Sequence, residues 1–181
     1  SGERLTRTLY EQFRAAAPEV LLLNLYGSTE VAGDVTCAAL GPGVELDEDV
    51  PIGRPIGEAR VLVLDDERRP VRSGDVGEAY VGGPVLARGY HRRPEEDRAR
   101  FLPDPTRAGE RLFRTGDRVR EGAAGELYYV GRADQQIKLR GVRIEPGEIE
   151  RVLATYRHPV SAAAVVLQRG DTQDGRLCAF V

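Results

Sequence analysis

The residues best suited to chemistry form the segment Asn24–Glu30, which reads Asn-Leu-Tyr-Gly-Ser-Thr-Glu. An aromatic ring such as Tyr26 can stack on a purine base, and Gly27 lets the backbone approach a ligand closely. The Thr29 hydroxyl can donate to a phosphate oxygen, and the Glu30 carboxylate is a hard ligand suited to Mg²⁺. Such a set could bind a nucleotide and its metal, and the alternative is a polar loop that ends a strand.

Three further blocks are rich in glycine and charge. They are Gly77–Gly83 with Ala87–Tyr90 and Arg93–Glu95, then Arg111–Asp117, then Gly131–Glu150. Taken singly, the glycines and the Arg-Gly-Tyr turn are typical of scaffold, and Thr-Gly-Asp is typical of a turn. An ionised carboxylate such as Asp117 nevertheless accepts hydrogen bonds from hydroxyl groups well.

Together, in their order and spacing, these blocks resemble the adenylation domains of non-ribosomal peptide synthetases, within the superfamily of adenylate-forming enzymes. The most specific match is Gly131–Glu150, which is similar to G-R-x-D-x-Q-V-K-I-R-G-x-R-I-E-L-G-E-I-E. Phe113 stands where a tyrosine is common, and Pro146 stands where this motif has leucine. The resemblance covers most of the chain. It implies a ligase that uses ATP and Mg²⁺ to convert a carboxylate to an acyl adenylate and pyrophosphate, after which a thiol takes the acyl group.

The resemblance implies a nucleotide-binding role for each matching residue. Tyr26 would stack on adenine, while Asp117 and Arg132 would hold the ribose. Asn24 and Gly27 belong to the same nucleotide-binding motif.

Thr29 and Glu30 are the implied catalytic residues, since Thr29 would touch the phosphates and Glu30 would ligate Mg²⁺. The family's Ser/Thr/Gly-rich phosphate loop and its catalytic lysine, in a motif like N-G-K, do not occur in this sequence. Without them most electrostatic stabilisation of the transition state is lost. We therefore expect this polypeptide alone to have little or no adenylation activity.

Asp134 matches the family's hinge, at which a small C-terminal domain rotates between the adenylating and thiol-transfer arrangements. A hinge is commonly a few residues at an element boundary. Lys138, Arg140 and Gly141 would lie on the loop that faces the active site for the second step. There the acceptor is the phosphopantetheine thiol of a carrier-protein domain. A solvated strand residue is the alternative for Lys138.

Leu25, Gly33 and Asp34 match positions of the family's acid-binding pocket, and Ser1 matches another. A carboxylate in a pocket wall should pair with a substrate cation, because an unpaired buried charge is costly. This pattern resembles β-alanine-activating members, which implies β-alanine or a close β-amino acid as substrate. The alternative is that Asp34 begins the next strand and faces water.

Two other functions stay open: a segment of an acyl-CoA or aryl-CoA ligase, and a non-catalytic interaction module. The Gly-Glu-Ile-Glu and Gln-x-Lys-x-Arg-Gly runs favour the adenylation domain over the CoA ligase. Nucleotide binding would argue against the interaction module.

Composition narrows the partners and the location. The chain has 181 residues and a formal net charge of -3, so nucleic acid is a poor partner. Its two cysteines form no CxxC pair, which indicates a reduced compartment and no zinc site. The apolar runs are too short to span a bilayer, and no signal peptide is recognisable. We expect a cytoplasmic protein whose partners are a small carboxylic acid, a carrier-protein domain and the remainder of the adenylation domain.

These motifs must be positioned by an α/β fold of the mixed α+β kind. Residues 4–17 have the period of an amphipathic helix. The apolar run Val20–Leu23 predicts a buried parallel strand, whose carboxyl end would carry the Asn24–Glu30 segment. The strand's apolar side chains would lie uncovered in this polypeptide alone.

From residue 50 onward, short apolar runs between turns predict antiparallel structure. Predicted strands are Arg60–Leu64, Gly77–Val81, Arg111–Arg114, Arg118–Arg120, Glu126–Val130, Ala162–Leu167 and Arg176–Val181, and predicted helices are Pro94–Phe101 and Glu148–Tyr156. We place a boundary near residue 134. Residues 1–133 would be the C-terminal portion of the large core subdomain, with the end of an α/β layer and an antiparallel β-subdomain. Residues 134–181 would be the hinge and the first part of the small α+β C-terminal subdomain.

Overall fold

A computed structural model describes residues 3–44, 46, 49–139, 142–155, 164–169 and 175–180. Internal contacts divide the chain into two compact units, with the division between Ala133 and Asp134. Each unit is described separately below.

The first unit combines helices with mainly antiparallel strands. In chain order its elements are α1 (Arg7–Ala16), β1 (Leu22–Tyr26), a 3₁₀ turn (Thr29–Val31), β2 (Thr36–Leu40), β3 (Arg54–Pro55), β4 (Arg60–Leu64), β5 (Val76–Gly82), α2 (Pro94–Arg100), β6 (Phe101–Pro103), β7 (Arg111–Glu121) and β8 (Leu127–Arg132). This mixed architecture confirms the predicted fold class.

Helix α1 begins at a capped residue and precedes the motif strand. The Thr6 side chain accepts a hydrogen bond from the Leu9 backbone N–H, which satisfies one of the donors left open at a helix start.

The strand that follows differs from the prediction. β1 spans Leu22–Tyr26 and pairs antiparallel with β2, which in turn pairs with β3. An apolar run indicates burial, but it does not specify the direction of the neighbouring strand.

The apolar residues around β1 are exposed rather than buried. The exposed fractions are 51% for Val20, 55% for Leu21 and 51% for Leu23. The expectation that this strand leaves apolar side chains uncovered is thus confirmed, although its parallel pairing was wrong.

Strand β7 organises the larger sheet of this unit. It pairs along one edge with β5, which also pairs with β4. Along its other edge, β6 pairs with its first half and β8 with its second half. The sequence predicted two strands here, yet β7 runs unbroken from Arg111 to Glu121. Gly116, with φ of 75°, lets the chain bulge without ending the strand.

Two buried clusters of the first unit include side chains from this sheet. One buried apolar cluster contains Val31, Val35, Ala59, Val81, Phe101 and Phe113. A second contains Ile52, Val63, Ala79, Val119 and Leu127. Tyr26 packs against both clusters, so the core itself fixes the ring of the motif tyrosine.

The second unit contains two antiparallel pairs and a helix in the part that is described. Its elements are β9 (Ile137–Leu139), β10 (Val142–Ile144), α3 (Pro146–Thr155), β11 (Ala164–Arg169) and β12 (Gly175–Phe180). β9 pairs with β10, and β11 pairs with β12. The Glu150 side chain of α3 accepts a hydrogen bond from the Val165 N–H at 2.9 Å, which ties the helix to β11.

None of the helices within the described ranges has the length and apolar character that crossing a membrane requires.

Candidate nucleotide site

The turn after β1 brings two stretches of backbone into close contact. The Val35 N–H donates to the Tyr26 carbonyl at 2.8 Å, and the Gly33 N–H donates to the Ser28 carbonyl at 2.9 Å. A side chain at Gly27 would lie only 2.8 Å from the Asp34 Cα and inside the contact distance of the Gly33 carbonyl. Gly27 therefore permits the turn by leaving room for the returning chain, a role different from the approach to a ligand that the motif predicted for it.

Tyr26, Asp117 and Arg132 form one hydrogen-bonded group. The Tyr26 hydroxyl donates to Asp117 Oδ2 at 2.6 Å, and Arg132 Nη1 donates to Asp117 Oδ1 at 2.7 Å. Arg132 also donates to the Thr115 carbonyl at 3.1 Å. The register of β7 and β8 places Asp117 directly opposite Arg132. The structure thus joins three residues that the sequence assigned to adenine and ribose binding.

The electrostatics of this group keep the Tyr26 phenol neutral. Burial raises the pKa of Tyr26 well above its ordinary value, and the Asp117 charge and hydrogen bond raise it further. A hydrogen bond from Thr115 and the positive charge of Arg132 act in the opposite direction but do not cancel the effect. Tyr26 is consequently a hydrogen-bond donor to Asp117 across the physiological pH range.

Asp117 is held in place by the bulge that precedes it. The Thr115 hydroxyl donates to the Ala79 carbonyl at 2.7 Å and accepts from the Asp117 N–H at 3.0 Å. Glu78 Oε1 accepts from the Gly116 N–H at 3.1 Å and from Arg114 Nε at 2.9 Å. The block that contains Glu78 was interpreted from the sequence as scaffold. Glu78 lies close to Asp117 because β5 pairs with β7, which the sequence did not reveal.

Glu30 lies in the 3₁₀ turn and is 7% exposed. Its Oε1 accepts from the Tyr90 hydroxyl at 2.7 Å, and its backbone carbonyl accepts from the Ala87 N–H at 2.8 Å. Thr29, immediately before it, is exposed. Tyr90 was assigned to scaffold from the sequence, because nothing in a single sequence signals a contact across 60 positions.

The remaining residues of the motif region divide between structural and open positions. The Asn24 side-chain amide donates to the Pro51 carbonyl at 2.7 Å. Leu25 and Asp34 are half-buried. A side chain built on Gly33 would meet nothing within 4 Å, so open space lies beside this residue.

The second unit holds the predicted hinge residue at its start. Asp134 Oδ1 accepts from the Gln136 N–H at 3.2 Å, a local turn that begins the unit. The backbone of Lys138 lies in β9. Arg140, Gly141 and Ser1 lie outside the described residues.

A cavity of about 560 Å³ in the first unit is lined by a different set of residues. They are Glu58, Arg60, Gly83, Pro84, Leu86, Arg107, Gly109, Glu110 and Arg111. No residue predicted for the nucleotide or acid site lines it. Within its walls Glu110 pairs with Arg60 and Arg107, and Arg60 also bridges to Asp104 outside the lining.

Comparison with characterised proteins gives long matches to parts of much larger enzymes. The chain is 49% identical over 183 residues to phosphinothricin tripeptide synthetase PhsB of Streptomyces viridochromogenes, a match that covers 100% of this chain and 15% of the relative. It is 48% identical to a dimodular nonribosomal peptide synthase of Bacillus subtilis, over 99% of this chain and 7% of the relative. The chain therefore spans only a small part of the relatives that it matches.

Solved structures show the same fold. The chain superposes on IdnL1 with a TM-score of 0.85 and 34% identity, covering 98% of this chain and 36% of that one. It superposes on holo-PA1221, a peptide synthetase protein containing adenylation and carrier (PCP) domains, with a TM-score of 0.86 and 29% identity, covering 98% of this chain and 31% of that one.

A model of the family described as AMP-binding enzyme matches residues 1–91, half of the chain. With the close peptide synthetase relatives, this match confirms the resemblance found in the sequence motifs. The chain belongs to the AMP-binding enzyme family, as part of an adenylation domain of the nonribosomal peptide synthetase kind.

Proposed function

We propose that this chain supplies the nucleotide-binding part of an amino-acid-activating ligase. In the complete enzyme, a carboxylate oxygen of the substrate attacks the α-phosphorus of ATP, and pyrophosphate leaves. The thiol of phosphopantetheine on a carrier-protein domain then takes the acyl group, and AMP leaves. The observation that best supports this function is Asp117, which is 5% exposed and is oriented by both Tyr26 and Arg132.

The proposed contacts follow from the chemistry of this group. An ionised carboxylate with fixed orientation is a good acceptor for a pair of ribose hydroxyls, and Arg132 lies beside it to hold the sugar. The Tyr26 ring supplies an aromatic face for adenine. Gly27 permits the turn that follows Tyr26, while Asn24 bonds to the Pro51 carbonyl. The exposed Thr29 hydroxyl is available to the phosphates.

Glu30 fits the Mg²⁺ that the family implies. Magnesium is commonly bound through one or two carboxylates together with substrate phosphates, and a hydrogen-bonded, nearly buried carboxylate of this kind is a suitable oxygen donor. Glu30 would hold the ion, which when bound neutralises charge on the phosphates.

ATP–pyrophosphate exchange by the complete enzyme tests this function. Asp117→Asn should reduce exchange by about tenfold to a hundredfold, because hydrogen bonds to a charged group contribute about 1.5–3 kcal/mol. Asp66→Asn, in an exposed turn, is the matched control and should leave the rate unchanged. Exchange that survives Asp117→Asn in a folded enzyme would rule out the proposed ribose contact.

For the substrate we propose β-alanine or a close β-amino acid. Asp34 is half-buried and follows Gly33, beside which there is open space, so a carboxylate is available near this turn for a substrate ammonium. Asp34→Ala should abolish β-alanine-dependent exchange while leaving the KM for ATP unchanged. Unaltered β-alanine exchange, or exchange with a different acid only, would reject this substrate.

For the second step we propose that Asp134 is the hinge between the two subdomains, and that Lys138, Arg140 and Gly141 face the thiol. The division of contacts between Ala133 and Asp134 is in keeping with this assignment. An acyl-CoA ligase would use free coenzyme A in place of a carrier protein, so assaying both acceptors distinguishes the two enzymes.

A further inference from the structure

The loop between β5 and α2 reaches the turn that carries Glu30 and bonds to it twice. The backbone of Ala87 donates to the Glu30 carbonyl at 2.8 Å. The side chain of Tyr90 donates to the Glu30 carboxylate at 2.7 Å. One loop therefore contacts both the main chain and the charged group of the same residue.

Tyr90 is fixed from its backbone side as well. Its N–H donates to Asp97 Oδ1 in α2 at 2.6 Å. Gly89, with φ of 144°, precedes it, and a side chain there would lie 2.6 Å from Asp97 Oδ2. The Tyr90 ring packs edge-on against Phe101 with centroids 5.7 Å apart, next to the core cluster. These contacts hold the Tyr90 side chain in a fixed position from which its hydroxyl donates to Glu30.

Such a support matters because of the charge that Glu30 carries. A hydrogen bond to an ionised carboxylate is about twice as strong as a neutral one. Carboxylates that bind metals are themselves oriented by hydrogen-bond donors, and removing such a donor typically lowers metal affinity about 10–100-fold.

We propose that Tyr90 is a positioning residue that orients the Glu30 carboxylate for the metal–nucleotide complex. The Ala87–Tyr90 block then has a functional task in addition to its place in the scaffold. The inference rests on the proposed function, because it takes Glu30 to be the metal ligand.

The test measures Mn²⁺ binding by the complete enzyme in the presence of a non-hydrolysable ATP analogue. Binding is detected as the loss of the electron paramagnetic resonance signal of the free ion. Tyr90→Phe removes only the hydroxyl and should raise the apparent Kd for Mn²⁺ about 10–100-fold. Tyr128→Phe is the matched control, since it also removes a tyrosine hydroxyl that donates to a carboxylate, that of Glu126, at 3.1 Å. The control should leave the Kd unchanged.

A second variant tests the same hydrogen bond by displacing Tyr90 instead of removing its hydroxyl. Gly89→Ala keeps the hydroxyl but should displace Tyr90, because the new side chain collides with Asp97. It should also weaken Mn²⁺ binding. Because Tyr90→Phe leaves a nearly buried carboxylate oxygen without its donor, both variants are assayed well below their unfolding temperatures, so that a raised Kd reports the position of Glu30 and not unfolding.

Glu30→Gln distinguishes a failure of the Tyr90 proposal from a failure of the proposed metal site at Glu30. If Glu30→Gln weakens Mn²⁺ binding but Tyr90→Phe and Gly89→Ala do not, the positioning role of Tyr90 is wrong and the proposed function stands. If Glu30→Gln binds Mn²⁺ as tightly as the wild type, Glu30 is not the metal ligand, and the metal site of the proposed function fails with it.

Discussion

The absence of a side chain at Gly27 allows the turn after β1 to form. Gly27→Ala would force the Gly33–Asp34 backbone away from the start of the turn, because the added carbon would overlap it. Overpacking of this kind costs about 1–3 kcal/mol, so we expect a lower free energy of unfolding in urea and weaker ATP binding.

Gly131→Ala is the matched control for this change. A side chain built on Gly131 meets nothing within 4 Å, so its effect on unfolding should be small. Equal effects of the two substitutions would show that the close approach at Gly27 is not what limits this position.

Tyr26 provides a test in alkali. Its pKa is raised by burial and by Asp117, so the folded state favours the neutral phenol. This contribution to stability is complete below the pKa of an unfolded tyrosine, about 10, and is lost as the pH rises through the higher folded-state pKa.

Ultraviolet absorbance of phenolate measures the effect. We expect Tyr26→Phe to remove a tyrosine that ionises later than the exposed ones, and to make stability less sensitive to pH above about 10. Identical titration curves for the two proteins at the alkaline end would contradict the raised pKa of Tyr26 that its burial and the Asp117 contact produce.

At the scale of elements, the Glu78–Arg114 ion pair holds the bulge of β7 against β5. The Glu78 side chain is 11% exposed and also accepts the Gly116 N–H. Glu78→Ala leaves that N–H without its acceptor, so it should destabilise the protein by about 1–3 kcal/mol and raise the KM for ATP by displacing Asp117.

Glu67→Ala is the comparison, because Glu67 pairs with Arg69 on an exposed turn and its side chain is 65% exposed. Pairs of that kind contribute about 0–1 kcal/mol. A loss of stability in Glu78→Ala without any change in the KM for ATP would mean that the bulge does not position Asp117.

The elements also show what sequence patterns can predict and where they stop. Arg60–Leu64 was predicted with its observed bounds, since a short apolar run bounded by turns is typical of a strand. The break predicted before Arg118 was wrong because a glycine at positive φ can bulge a strand as readily as end it. Two of the contacts that orient the candidate carboxylates, Tyr26 with Asp117 and Tyr90 with Glu30, join residues far apart in the chain, which one sequence does not reveal.

At the scale of the whole molecule, the exposed apolar strip Val20, Leu21 and Leu23 should determine how this polypeptide behaves alone. Contiguous apolar surface on a protein commonly marks an interaction site or a tendency to aggregate. We expect the isolated chain to bind the dye ANS, and replacement of all three residues by serine to reduce that fluorescence.

Val130→Ser removes a single exposed apolar side chain elsewhere and should leave the dye signal unchanged. Undiminished fluorescence from the triple variant would locate the apolar surface in another part of the chain.

The hydrogen bond between Tyr26 and Asp117 joins residues 91 positions apart. Contacts of such separation form late, because loop closure must precede them. At translation rates of about 5–20 residues per second, Asp117 follows Tyr26 from the ribosome by about 5–20 seconds. During that interval the emerging chain contains Tyr26 but not yet the Asp117 carboxylate to which it donates. A nascent chain should therefore acquire nucleotide affinity only after the strands around Asp117 have been synthesised.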